Sequence, residues 1–151
     1  MEKQITEIGF NLIGIHTEQF AFFEENIVEK AVIELGTSIE FKCDNTEQRL
    51  GCFVEITFVQ KKKAILKIEV SCHFKIKPDA WAAFAQELNR IVVPKNFLSH
   101  LAMLTVGTTR GILFAKTENT LFNKFIVPTI NVEEMIVEDV VFEVVTPEIN
   151  V

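Results

Sequence analysis

The stretch Ala64-Ile65-Leu66-Lys67-Ile68-Glu69-Val70-Ser71-Cys72-His73-Phe74-Lys75-Ile76 decides the fold class. Ala64, Leu66, Ile68, Val70, Cys72, Phe74 and Ile76 fall on one side, and Ile65, Lys67, Glu69, Ser71, His73 and Lys75 on the other. Period two over this length is the signature of a strand in a sheet covered on one face and wet on the other. Upstream the pattern recurs. Ile33, Leu35, Thr37, Ile39, Phe41 and Cys43 oppose Glu34, Gly36, Ser38, Glu40 and Lys42, while Cys52, Val54, Ile56 and Phe58 oppose Phe53, Glu55, Thr57 and Val59. Ile5 to Phe22 gives a less regular fourth strand, bent at Gly9 or Gly14. The short connections Asp44 to Leu50 and Gln60 to Lys63 predict antiparallel neighbours.

Beyond Ile76 the period becomes helical. Pro78 suits a first helical position, Asp79 favours the positive end, and Trp81, Phe84, Ala85 and Leu88 share one face. Pro94 resets the chain, and Asn96 offers a cap to a longer helix from about Phe97 toward Thr117. Leu98, Leu101, Ala102, Met103, Leu104, Val106, Ile112, Leu113 and Phe114 do not fit on one stripe of that helix, so it needs partners on more than one side. A sheet covers one side, and a subunit interface is expected on the other. Asn131 with Glu134 three residues on predicts a capped short helix through Ile136, and the valine-rich Val137 to Val145 predicts a last strand.

Bulk properties bound the function. The 151 residues form one expected domain, 1-151, with 48% hydrophobic residues and a net charge of −6. A chain of this size buries roughly 68–70% of its unfolded surface and needs no disulfide staples. Three cysteines, Cys43, Cys52 and Cys72, with no C-x-x-C spacing, read as reduced thiols of a cytoplasmic protein. The N-terminus shows no signal-peptide pattern. The longest uncharged run, Asn96 to Thr109, is 14 residues, short of the roughly 20 that a membrane span needs, so no membrane insertion is expected. The acidic balance argues against nucleic acid, and Lys61-Lys62-Lys63 reads as a solvated turn.

No catalytic constellation emerges, and no enzyme, cofactor or metal is expected. Ser99 and His100 diverge on a helix, Cys72 and His73 point to opposite faces of a strand, and Gly107-Thr108-Thr109-Arg110-Gly111 lacks a phosphate-loop ending. The aromatic content is unusual: 14 Phe, one Trp and no Tyr. Phe20, Phe22 and Phe23, then Trp81, Phe84 and Phe97, then Phe114, Phe122 and Phe125 form three groups, most of which read as ordinary core residues; an apolar groove is the functional reading and requires a fraction of them to stay exposed. Phe10, Phe41, Phe58 and Phe74 fall at inward strand positions.

Four strands, a crossover, a long helix holding an Arg-Gly pair and an apolar-Pro-x-Asn-acidic turn together resemble the SecB protein-export chaperone family. Phe10 to Thr17, Val93-Pro94 to Arg110-Gly111 and Phe125 to Glu133 carry the resemblance, which spans roughly residues 8 to 136. It implies an α+β fold, a four-stranded antiparallel sheet packed against a long helix, here with an extra C-terminal strand. It also implies sheets that pair into a dimer and two dimers that meet through their long helices as a homotetramer, with Leu98, Leu101, Met103, Leu104, Val106 and Leu113 at the oligomer interface. The implied activity is that of an ATP-independent holdase for unfolded or pre-secretory polypeptides. Its apolar grooves would fall at Trp81, Phe84, Leu88, Phe97, Phe122, Phe125, Met135 and Ile136. Export members dock a SecA-like translocation motor through acidic residues of the exposed sheet face. Gln19, Phe23 and Lys67 stand at the matching positions here, with Glu18, Glu24 and Glu69 close by. Other SecB-like proteins guard aggregation-prone antitoxins, which is one alternative reading. A scaffold subunit without a groove and a small-ligand carrier are the others.

Overall fold

A computed structural model of the chain describes residues 8–85 and 87–144. Strands β1 (Phe10–Phe22), β2 (Glu34–Asp44), β3 (Arg49–Gln60) and β4 (Lys63–Ile76) form one antiparallel sheet in the order β1-β4-β3-β2. The fold is α+β, and the alternation that opened the sequence holds through the sheet. Val54, Ile56, Ile68, Val70, Cys72 and Phe74 are buried on the inner face, opposite half-exposed Glu55, Lys67, Glu69 and His73. Register shifts between Leu12 and Gly14 and between Thr17 and Gln19 give β1 its irregularity. Ile65, at an outward position by parity, is nevertheless fully buried. A bulge at the start of β4 shifts its register, and the connection after β1 lies against it through Phe23 N–H to the Ile65 carbonyl at 2.8 Å. Lys61 and Lys62 both adopt positive φ, 50° and 66°, the backbone of a tight hairpin turn.

Helix α1 (Pro78–Phe84) follows the sheet and ends four residues before the expected face does, so Leu88 falls in a turn. Strand β5 (Arg90–Val93) leads into helix α2 (Lys95–Thr117). Expected caps are replaced here by tertiary ones. Pro94, not Asn96, occupies the N-cap, and the Lys95 N–H is taken by the Asp139 carboxylate at 2.9 Å, 44 residues away. Asn131 likewise makes no side-chain cap to helix α3 (Val132–Met135). The valine-rich tail does form a strand, β6 (Val140–Glu143), paired antiparallel with β5, while Val145 and Ile5 lie outside the described residues.

Helix α2 lies across β3 and β4. Leu98, Leu101, Ala102, Thr105, Val106, Thr109, Leu113 and Thr117 form its buried stripe. Each large aliphatic side chain there contributes roughly 1.5–3 kcal/mol by leaving water. The buried hydroxyls of Thr105, Thr109 and Thr117 are satisfied within the helix, donating to the carbonyls of Leu101, Thr105 and Leu113 at 2.7–2.8 Å. By length and composition α2 is long and apolar enough to cross a membrane, although its uncharged run is short, and half of its most apolar window is buried in the fold.

Candidate functional site

The aromatic side chains gather into two chains of rings at opposite ends of α2. At its N-terminal end Phe74, Phe10, Phe97, Phe84 and Trp81 stack edge-on or tilted, with successive centroids 5.5–6.1 Å apart. Trp81 Nε1–H donates to Asn45 Oδ1 at 2.8 Å, which satisfies the one polar atom of the group. Trp81, Phe84 and Phe97 are therefore core side chains that tie α1 and α2 to the sheet, and none forms an open groove wall. Phe122, Phe125 and Ile136 are buried as well. Of the eight client-contact residues expected from the sequence, only Leu88, 89% exposed, and Met135 offer apolar surface. Among the expected interface residues, Leu98, Leu101, Val106 and Leu113 are consumed by packing on the sheet, whereas Met103 and Leu104 face outward.

At the other end the ring chain runs Phe20, Phe22, Phe122, Phe125, Phe58, with centroids 5.1–6.2 Å apart. This chain reaches the surface. Phe22 is 55% exposed, Leu121 is exposed on the wall of the same concavity, and Ile126, next to Phe125 in sequence, is exposed as well. Two concavities flank the string. One, of about 270 Å³, is walled by Phe20, Phe22, Leu121 and Phe122 with Glu24 and Lys116 at its polar positions. The other, of about 490 Å³, is walled by Ile27, Val28, Ile33 and Phe125 with Glu29, Lys30 and Lys124. The segment joining β1 to β2 supplies most of the second wall and also exposes Val32.

Gln60 fixes that segment. Its side chain is buried; Oε1 accepts from the Val28 N–H and Nε2 donates to the Ala31 carbonyl, both at 3.0 Å. Asn26 Nδ2 adds a bond to the Ala64 carbonyl at 2.9 Å. Sequence reading found Phe20, Phe22 and Phe23 but missed the joining segment, whose signal was the apolar pairs Ile27-Val28 and Val32-Ile33 around a charged Glu29-Lys30 turn.

A second apolar surface lies along the outer side of α2, where Met103, Leu104 and Phe114 are exposed and Gly107 and Gly111 lie between them. A Cβ on either glycine would touch nothing within 4 Å. Arg110, between them in sequence, reaches inward: Nε and one terminal nitrogen donate to the carbonyls of Val127 and Pro128, each at 2.8 Å, holding the chain after α2 against the helix.

The outer face of the sheet carries the polar groups. Ser71 Oγ donates to Glu18 at 2.6 Å and lies 2.9 Å from His73 Nε2, whose ring meets His16 edge-on at 5.0 Å. With its hydroxyl hydrogen engaged by Glu18, the fully buried serine oxygen is left to accept from the Nε2–H tautomer of His73. Burial first, and then the neighbouring His16, hold the His73 imidazole below its ordinary pKa. Glu69 is pushed up, by burial and by Glu55 directly across the strand pair. Cys52 and Cys72 face each other beneath α2, and burial pushes the Cys52 thiol up to about 12, too high for a nucleophile. Among the described residues no group of three His, Cys, Asp or Glu side chains is placed to hold a metal ion.

Comparison with known proteins places these features beside two solved structures. The SecB-like chaperone Rv1957 of Mycobacterium tuberculosis, solved with a ChAD peptide from the HigA1 antitoxin Rv1956, is similar over 81% of this chain and 91% of that one, at 9% identity and a TM-score of 0.46. A protein of unknown function from Streptococcus agalactiae is similar over 83% and 99%, at 14% identity and a TM-score of 0.39. No protein-family profile matches the chain, and no curated protein is similar to it.

Proposed function

We propose that the protein is an ATP-independent cytoplasmic holdase that grips unfolded polypeptides at the end of the sheet where Phe22, Leu121, Ile126 and the joining segment converge. The observation that carries the reading is the surfacing ring chain between two apolar concavities. An uncovered apolar surface of this kind grips many sequences through contact area alone, and Phe contributes area without a hydroxyl that would demand a fixed partner. The sequence resemblance supports the same class. Suppression of aggregation of a reduced, unfolding client is the direct test, and Phe22→Ser with Leu121→Ser should abolish it. Full protection by that variant would sink the site, and no protection by the unaltered protein at molar excess would sink the function.

The holdase reading includes an oligomer. Strand β1 is an edge of the sheet with exposed Leu12, Ile13 and Ile15 and one side of its backbone free, whereas the opposite edge, β2, presents Glu34, Glu40 and Lys42. Pairing of β1 between two copies and apposition of two α2 outer faces would give a dimer of dimers. Light scattering tests this, and a monomer at working concentration would refute it. The outer sheet face keeps Glu18, Glu55 and Glu69 near one another, but Gln19, Phe23 and Lys67 stand at the docking positions and Lys67 pairs with Glu55, which argues against an export motor as partner. A pull-down with the motor decides that point. Guarding of an antitoxin is the rival client assignment, separated by whether one dedicated partner co-purifies in stoichiometric amount.

A further inference from the structure

We infer that the polypeptide segments held at the ring-chain end are apolar sequences flanked by carboxylates. The inference rests on the holdase reading and concerns the chemistry of its clients. Both concavities have a lysine laid over a ring of their own wall: Lys116 Nζ stands 5.5 Å from the Phe20 centroid and Lys124 Nζ 5.4 Å from that of Phe125. Neither is in an ion pair; among the described residues those pairs are Arg49–Asp44, Lys67–Glu55 and Arg90–Glu87. Lys30 lines the second concavity, and the Lys61-Lys62-Lys63 turn follows directly on Gln60, which anchors the joining segment.

The same end carries Glu24, Glu25, Glu29, Glu34 and Glu118, so six lysines face five glutamates in a chain whose net charge is −6. Outside this end Asp and Glu outnumber Lys and Arg by 16 to 9 in the sequence. A segment with acidic flanks therefore meets less net repulsion at this end than over the rest of the chain, where carboxylates outnumber Lys and Arg, and a basic one meets less net attraction here. At the site, its carboxylates meet ammonium groups already held beside the aromatic walls, so one contact desolvates rings and pairs charges together.

The test uses the full chain and labelled synthetic peptides that share one apolar core and differ only in aspartate, serine or lysine flanks, titrated by fluorescence anisotropy. The aspartate-flanked peptide should bind about 5–10-fold tighter than the lysine-flanked one in dilute buffer, and the gap should close at about 0.5 M salt. Lys116→Glu with Lys124→Glu should invert the order, and Lys61→Ser, Lys62→Ser and Lys63→Ser, far from any core contact, should narrow it. Equal affinities, or a preference for lysine flanks, would overturn the inference while leaving the holdase reading standing. Binding of none of the three peptides would remove both.

Discussion

Replacing Gln60 by alanine should loosen the wall of the larger concavity without unfolding the sheet. Among the described residues Gln60 is the one side chain that bonds the joining segment at two points, Val28 N–H and the Ala31 carbonyl, and it does so from the buried end of β3. Each bond is worth about 0.5–1.5 kcal/mol net, so their joint loss costs about 1–3 kcal/mol. The lower half of that range is expected, because Val28 and Ala31 sit close enough to solvent for water to take over their backbone groups. A local loss of about 2 kcal/mol raises the open population of residues 27–33 about 30-fold, which hydrogen exchange reads as faster exchange at the Val28 amide. Gln60→Glu should be at least as damaging, since it presents a buried carboxylate oxygen to the Ala31 carbonyl. Holdase protection should fall with the exchange rate. A urea midpoint shift worth less than about 0.5 kcal/mol together with unchanged Val28 protection would refute the anchoring role.

Other perturbations have equally definite outcomes. Asp139→Ala removes the tertiary cap of α2 and should cost about 1 kcal/mol in urea unfolding, with Asp139→Asn recovering most of it; equal loss in both variants would refute a capping role. Arg110→Met deletes both donors to Val127 and Pro128 and should release that stretch to proteolysis while α2 stays helical by circular dichroism; unaltered cleavage of the stretch would refute it. His73 is held below its ordinary pKa, so its contribution to stability is complete above the unfolded value of 6.5 and is lost as pH falls through the folded one. His73→Gln should accordingly flatten the stability loss as pH falls from about 7 to 5, while Glu69, whose pKa is raised, works in the opposite sense as it takes up its proton. Gly111→Ala meets no atom in the single chain and should stabilise α2 by about 1 kcal/mol, yet weaken assembly if outer helix faces meet; light scattering and urea unfolding should move in opposite directions, and a stabilised, intact oligomer would refute close approach there.

Sheet, long helix and terminal strand were legible because each rests on a periodicity that burial enforces over many residues, as in Ile68, Val70, Cys72 and Phe74. Caps were not legible, because the group that serves α2 arrives from Asp139, and no window of local sequence contains it. The aromatic residues show a subtler failure. Sequence reading separated inward strand positions from surplus ones, but it could not see that Trp81, Phe84 and Phe97 close over one end of the sheet with Phe10, because that depends on where a short α1 turns back. Leu88 marks the boundary: it fits the helical face by spacing and falls outside the helix, which stops at Phe84.

The two ring chains differ for one structural reason. At the N-terminal end of α2 the chain after Ile76 folds back as α1 and β5, so the rings acquire a cover and Trp81 a partner for its N–H. At the other end the covering elements are a joining segment pinned chiefly by Gln60 and Asn26 and a short turn after Thr117, neither of which is wide enough to bury Phe22. The ring left most open is Phe22, and Lys116 and Lys124 lay ammonium groups over Phe20 and Phe125 of the same ring chain, which keeps charge at the margin of the apolar surface. On the proposed holdase reading, a polypeptide that covers these rings gains only if it also leaves those lysines paired or hydrated, so exposure and client selectivity at this end would arise from one arrangement.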